Sequence, residues 1–293
     1  MRDFASCFSD HAVKVADASC SGNSGGSTAT EPSAQAAVTS LYKTILSSGK
    51  ALLIRLTWSI TNAGPSFSIA VEDDPDFSNP WRQTSVKPRL PRKKKGTHSF
   101  LVGSFSASLQ WDFSDARFSR GPEPTDNFYV AVAVEAELAL LLGDQNTEFL
   151  NRFHEEIPVA ESSLLCRREQ VVGPLLHSII RTRFGEGSRA HEITIKCTGS
   201  GWEDRQAELS VFVDKKRVVH VTKLKWNFRG NQTIFIDGSP VDMMWDMHGW
   251  WFSSLLGHSV FLFRRRSSAE SRLWLEEQHT VGFSLLVQAF RSP

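Results

Sequence analysis

Residues 224–252, LKWNFRGNQTIFIDGSPVDMMWDMHGWWF, decide how the rest of the chain reads. Asp237-Gly238 sits between two strand-like runs, TIFI and SPVDMMW. Glycine takes a positive φ at no steric cost, so this pattern predicts a two-residue hairpin. A shift of 134 positions lays Leu90–Phe118 on the same stretch without a gap. Leu90 falls on Leu224, Gly96 on Gly230, Trp111 on Trp245, Asp112 on Asp246 and Phe118 on Phe252. Between them Arg89 matches Lys223 in kind, as Phe100 does Ile234, Val102 does Ile236 and Leu109 does Met243. The chain is therefore expected to be mainly β, two homologous antiparallel units of sandwich or barrel type related by internal duplication, with few short helices.

Working outward, Leu52, Ile54, Leu56 and Trp58 alternate with Leu53, Arg55, Thr57 and Ser59, and Phe67, Ile69 and Val71 resume the alternation after the turn Asn62–Pro65. Further strands are expected at His98–Val102, Phe105–Phe113 and across Phe128–Leu142 in the first unit. The second unit is expected to place strands at Ile193–Cys197, Leu209–Val213, Leu224–Phe228, Ser259–Phe263 and Val281–Ala289. Asn146–Phe153 and Ala269–Gln278 read equally as short helix or as loop. The resulting division is a flexible Ser/Gly-rich tail at 1–40, a first β unit at 41–144, a bridge at 145–190 whose paired apolar residues should join the sheets, and a second β unit at 191–293. Separate units side by side, or one continuous sandwich, both satisfy this pattern.

Composition narrows the function. A net charge of +1 gives no global field, which argues against a protein built to grip nucleic acid. Four cysteines, Cys7, Cys20, Cys166 and Cys197, form no CxxC pair, which fits a reducing compartment. No stretch approaches the roughly 18 apolar residues of a membrane span. Residence is expected in the cytoplasm or nucleus, with an organelle transit role for the N-terminus disfavoured by Asp3, Asp10 and Asp17.

Several motifs, in order, carry a resemblance: WDFSDARFSRGPEPTDNFYVAVAV at 111–134, CRREQVVG at 166–173, KLKWNFRGNQTIFIDG at 223–238 and WDMHGWWF at 245–252. With these the chain resembles the plant family catalogued as domain of unknown function eight-six-eight, over about Leu41 to Arg266. The resemblance implies a plant protein from a family with no assigned activity and no established catalytic residue. Ser59 stands where members usually have Cys after the strand tryptophan. Glu135-Ala136 replaces a turn that many members build on Gly, and Gly249 replaces a common acidic residue.

No HExxH, GxSxG, P-loop or helix-opening GxGxxG occurs, so no catalytic residue, cofactor or metal is assigned. The repeated Trp-Asp pair reads as a strand-ending tryptophan followed by a turn-capping aspartate. An enzyme using Asp246 and His248, with Asp242 as a possible third group, is the least favoured reading. Arg92, Lys93, Lys94 and Lys95 form a basic run that suits either a charged edge strand or a partner contact. Trp250 and Trp251, as adjacent strand residues, should face opposite ways and expose one ring. The expected function is a non-catalytic interaction or scaffold module binding a protein partner at these residues. The alternative is a β-barrel carrier of a small apolar ligand.

Overall fold

The structure, a computed structural model, describes residues 33–62, 64–73, 93–119, 121–145, 157–185, 187–199, 206–252, 257–266 and 282–291, without the side chains of 180 and 181. The stretches expected as helix or loop at 146–153 and 269–278 lie outside the described residues, as does Arg92.

The strands of the first half are β1 (Ala34–Ile45), β2 (Ala51–Thr61), β3 (Gly64–Glu72), β4 (Lys95–Val102), β5 (Phe105–Asp112), the short β6 (Arg117–Phe118) and β7 (Pro124–Asp126), β8 (Tyr129–Val134) and β9 (Glu137–Gly143). β10 (Glu161–Val172) and β11 (Leu176–Thr182) occupy the expected bridge. The second half continues with β12 (His191–Thr198), β13 (Glu208–Val213), β14 (Lys216–Val221), β15 (Arg229–Ile236), β16 (Ser239–Asp246), the short helix α1 (His248–Phe252), β17 (His258–Arg265) and β18 (Ser284–Phe290). β1 begins inside the stretch expected to be tether, because AQAAVTS supplies alternating small and branched residues that pair with β10.

One eight-stranded sheet runs β15-β16-β17-β18-β10-β1-β2-β3. Two four-stranded sheets, β4-β5-β8-β9 and β11-β12-β13-β14, each pack against one half of it. The first packing closes around Trp58, whose ring lies 5.0 Å from Phe67, 5.7 Å from Phe113 and 6.1 Å from Phe128. The second closes around Ile193, Leu209, Met243, Phe261 and Phe263, all fully buried. Neither expected arrangement alone describes this: the halves have separate principal cores but share a sheet. The join is β10, antiparallel to β1 on one side and parallel to β18 on the other.

Between the cores lies a buried polar seam. Glu169 on β10 is 1% exposed and accepts hydrogen bonds from Arg167 Nε (2.8 Å) and Gln35 Nε2 (2.8 Å), and it pairs with His177 Nε2 (2.8 Å). Arg167 also reaches Glu123 at 2.6 Å. Burial alone would raise the Glu169 carboxyl; the His177 bond and the Arg167 charge more than offset it and hold it below the usual carboxylate range. The seam thus ties the shared sheet to β11 and to the segment that enters β7.

Turn chemistry sets several corners. Asp237 and Gly238 both have positive φ, as the hairpin reading requires. Glu135 (φ 53) and Ala136 (φ 64) adopt the same left-handed geometry without a glycine.

Candidate functional site

The hairpins β4–β5 and β15–β16 end in matching corners. Lys95 pairs with Asp112 and Gly96 with Trp111; Arg229 pairs with Asp246 and Gly230 with Trp245. Trp111 Nε1 donates to the Lys93 carbonyl at 2.9 Å, and Trp245 Nε1 donates to the Asn227 carbonyl at 2.9 Å. Asp112 accepts from the Ser114 amide (3.1 Å) and pairs with Lys95 (2.6 Å). Asp246 accepts from the His248 amide (2.8 Å) and from Arg229 Nε (2.9 Å). Desolvation opposes ionisation of Asp112, but Lys95 and the Ser114 bonds outweigh it and keep its carboxyl below the usual range.

The glycines are required by the tryptophans. A Cβ at Gly96 would stand 2.8 Å from Trp111 Cζ2, and at Gly230 it would stand closer still to Trp245 Cζ2. Each ring is pinned by its Nε1 bond and cannot swing aside. Gly230→Ala is expected to cost about 1–3 kcal/mol through overpacking, with Gly96→Ala costing less. Thermal unfolding of the two variants measures this, and equal or absent effects would contradict the contact.

Beyond the shared corner the halves differ. After Asp246 the chain forms α1, so Trp250 and Trp251 turn inward together and both are buried. The expected strand, with one ring exposed, is therefore corrected: Asp246 accepts the His248 amide at the helix start, and five helical residues replace the alternation. The guanidinium of Arg291 covers Trp250 at 5.3 Å. Leu224–Phe228, expected as a strand, is a turn in which the Trp226 and Asn227 amides both donate to the Lys223 carbonyl. Lys93 and Lys94 are exposed bends preceding β4, and Gly96 lies within the strand rather than in a turn.

Among the described residues the exposed aromatic surface falls at Phe235, on the expected hairpin strand and 71% exposed, and at two residues of the segments that the alternation misassigned. Trp226 is 78% exposed and Phe252 is 48% exposed. The Phe228 ring lies 5.7 Å from His248 and 5.6 Å from Phe252, while His248 and Phe252 are 5.1 Å apart. Arg229 stands over Phe228 at 5.7 Å. The basic counterpart in the first half is Lys93, Lys94 and Lys95. The sequence signal for Trp226 and Phe228 was their alignment with that basic run, just before the Gly at which each hairpin meets its tryptophan.

The acid/base set does not converge. Asp242 is held by Thr233 Oγ1 (2.8 Å) and Arg266 Nε (2.8 Å), further along β16 from Asp246, and the His248 ring packs on Phe228 and Phe252. Among the described residues no three His, Cys, Asp or Glu side chains are grouped to hold a metal. Beside the Trp226 turn a polar depression of about 440 Å³ is lined by Thr198, Gln206, Glu208, Thr222 and Lys223. The apolar interiors are occupied by their own aromatic and aliphatic side chains.

A family model described as a plant protein of unknown function, DUF868, matches residues 33–291. The chain belongs to that family. The match takes in every described strand, both corners and the polar seam. No curated protein and no solved structure matches the chain. No helix among the described residues is long and apolar enough to cross a membrane.

Proposed function

We propose that this plant protein is a non-catalytic interaction module that docks a partner protein through Trp226, Phe228, His248 and Phe252, with Lys93, Lys94 and Lys95 as the matching basic corner of the first half. The observation that carries the reading is a tryptophan 78% exposed on a turn anchored on both sides. The Lys223 carbonyl closes the turn, and the neighbouring Asn227 carbonyl holds Trp245. A large, rigid, amphipathic ring presented at low entropic cost is the usual anchor of a protein interface. The paired corners also support an origin by tandem duplication. Residence in the cytoplasm or nucleus accords with Cys166 and Cys197 as free thiols.

The test uses the full-length chain. Proteins cross-linked to it in plant extract are identified, purified and rebound to wild type, to a Trp226→Ala/Phe252→Ala variant and to a Lys93→Ala/Lys94→Ala variant. The aromatic pair of substitutions is expected to weaken a true partner tenfold or more while leaving thermal stability close to wild type, since both side chains are exposed. Unchanged affinity for every rebound partner would refute the assignment.

A further inference from the structure

Adjacent residues on β10 face opposite sides, and their arginines differ sharply in company. Arg167 faces the seam, where it meets two carboxylates, Glu123 and Glu169. Arg168 faces the outer side of the shared sheet, where its Nε and Nη2 both donate to Gln288 Oε1, with the Nε bond at 2.8 Å. Its charged neighbour there is another cation, Arg55 on β2, and burial together with Arg55 pushes the Arg168 guanidinium down from its ordinary value. Among the described residues no carboxylate balances Arg168; Glu72 acts on Arg55. A largely buried guanidinium facing a second one, with a neutral amide as its hydrogen-bond partner, is an uncompensated charge.

The surroundings supply donors more than acceptors. Gln288 is 4% exposed, and its carbonyl oxygen also takes Gln170 Nε2 at 3.3 Å. Three donors on that oxygen orient the carboxamide so that its own NH2 is turned away from them as a further donor. The Cys166 thiol, adjacent on the same face, is pushed up to about 12 by burial and stays neutral. Across the ladder from Arg168 stands Thr39, whose hydroxyl lies 2.9 Å from that of Thr57.

We propose that this outer face, centred on Arg168 with Arg55 and Gln288 beside it, binds an oxyanion, a phosphate or carboxylate group of a ligand. The planar guanidinium fork suits either group, and Gln288 fixes its orientation before the anion arrives. The site is independent of the aromatic corner, which lies on other elements.

Titration calorimetry on the full chain, with inorganic phosphate in one arm, acetate in a second and chloride at equal ionic strength as the blank, tests the proposal. Binding in either arm, weakened at least tenfold by Arg168→Gln, is expected; a response to phosphate alone identifies a phosphoryl ligand. Gln288→Glu provides a second route, because it installs the missing carboxylate beside the guanidinium. That variant should unfold at a higher temperature than wild type and lose anion binding. No binding in either arm, or binding that survives both substitutions, overturns the proposal.

Discussion

Glu169→Ala is expected to destabilise the protein by about 3–5 kcal/mol, the cost of breaking a buried ion pair by removing one partner. Glu169 is 1% exposed and gathers Arg167, Gln35 and His177, so its removal leaves three polar groups short of their acceptor. Arg167 retains Glu123, which limits the damage on that side. Glu169→Gln keeps the shape and one acceptor oxygen and should lose less. Because the Glu169 carboxyl is held below its ordinary value, its contribution is present above the unfolded pKa and fades as pH falls through the folded one. Urea unfolding at neutral pH reads the difference. A loss under about 1 kcal/mol would place Glu169 among surface ion pairs and remove the seam as a stabilising element.

The second large effect concerns His191. It is 2% exposed and joins two hairpin turns: Nδ1 lies 2.8 Å from Asp214 Oδ2, and Nε2 lies 2.8 Å from Asp237 Oδ2. Asp214 opens the turn of β13–β14 in the four-stranded sheet, and Asp237 sits in the turn of β15–β16 in the shared sheet. Arg189 reaches both aspartates, at 2.9 and 3.5 Å, and the Glu192 amide donates to Asp214. Two acceptors on one imidazole require both nitrogens to carry protons. Desolvation opposes this, but the bonds to Asp237 and Asp214 prevail and raise the His191 pKa. A raised folded pKa means that the contribution is complete below the unfolded value of about 6.5 and is lost as pH climbs through the folded value. His191→Gln should cost about 2 kcal/mol at pH 6, in the range for hydrogen bonds to charged groups. The gap between wild type and variant should narrow at alkaline pH. Denaturant titrations across that range decide the matter, and a gap that does not change with pH would show that folding leaves the imidazole pKa where it stands in the unfolded chain.

How far these features were legible in the sequence depends on their span. The β15–β16 hairpin was readable because two-residue alternation and Asp237-Gly238 are local properties of a dozen residues. The Gly–Trp corners were readable because they occur twice. Trp250 and Trp251 were misread because five helical residues are too few to show a helical period, and Leu224–Phe228 was misread because a turn there happens to alternate apolar and polar side chains. The His191 clamp was not legible: its three polar members come from three separate turns and strand ends, each unremarkable alone. The same holds for Arg168, whose meeting with Gln288 is set by which side of β10 it faces.

The parallel pairing of β10 with β18 has a consequence for synthesis. Its members stand far apart in sequence, Gln170 facing Gln288 across 118 residues. A nascent chain that has delivered β10 can already pair it with β1, so the N-terminal half can assemble on the ribosome. The other side of β10 stays an open ladder until β18 emerges, which invites mispairing with neighbouring chains. Holdase chaperones should accordingly engage this polypeptide late in translation, and a ribosome stalled before residue 284 should carry a half-built product that is prone to aggregate.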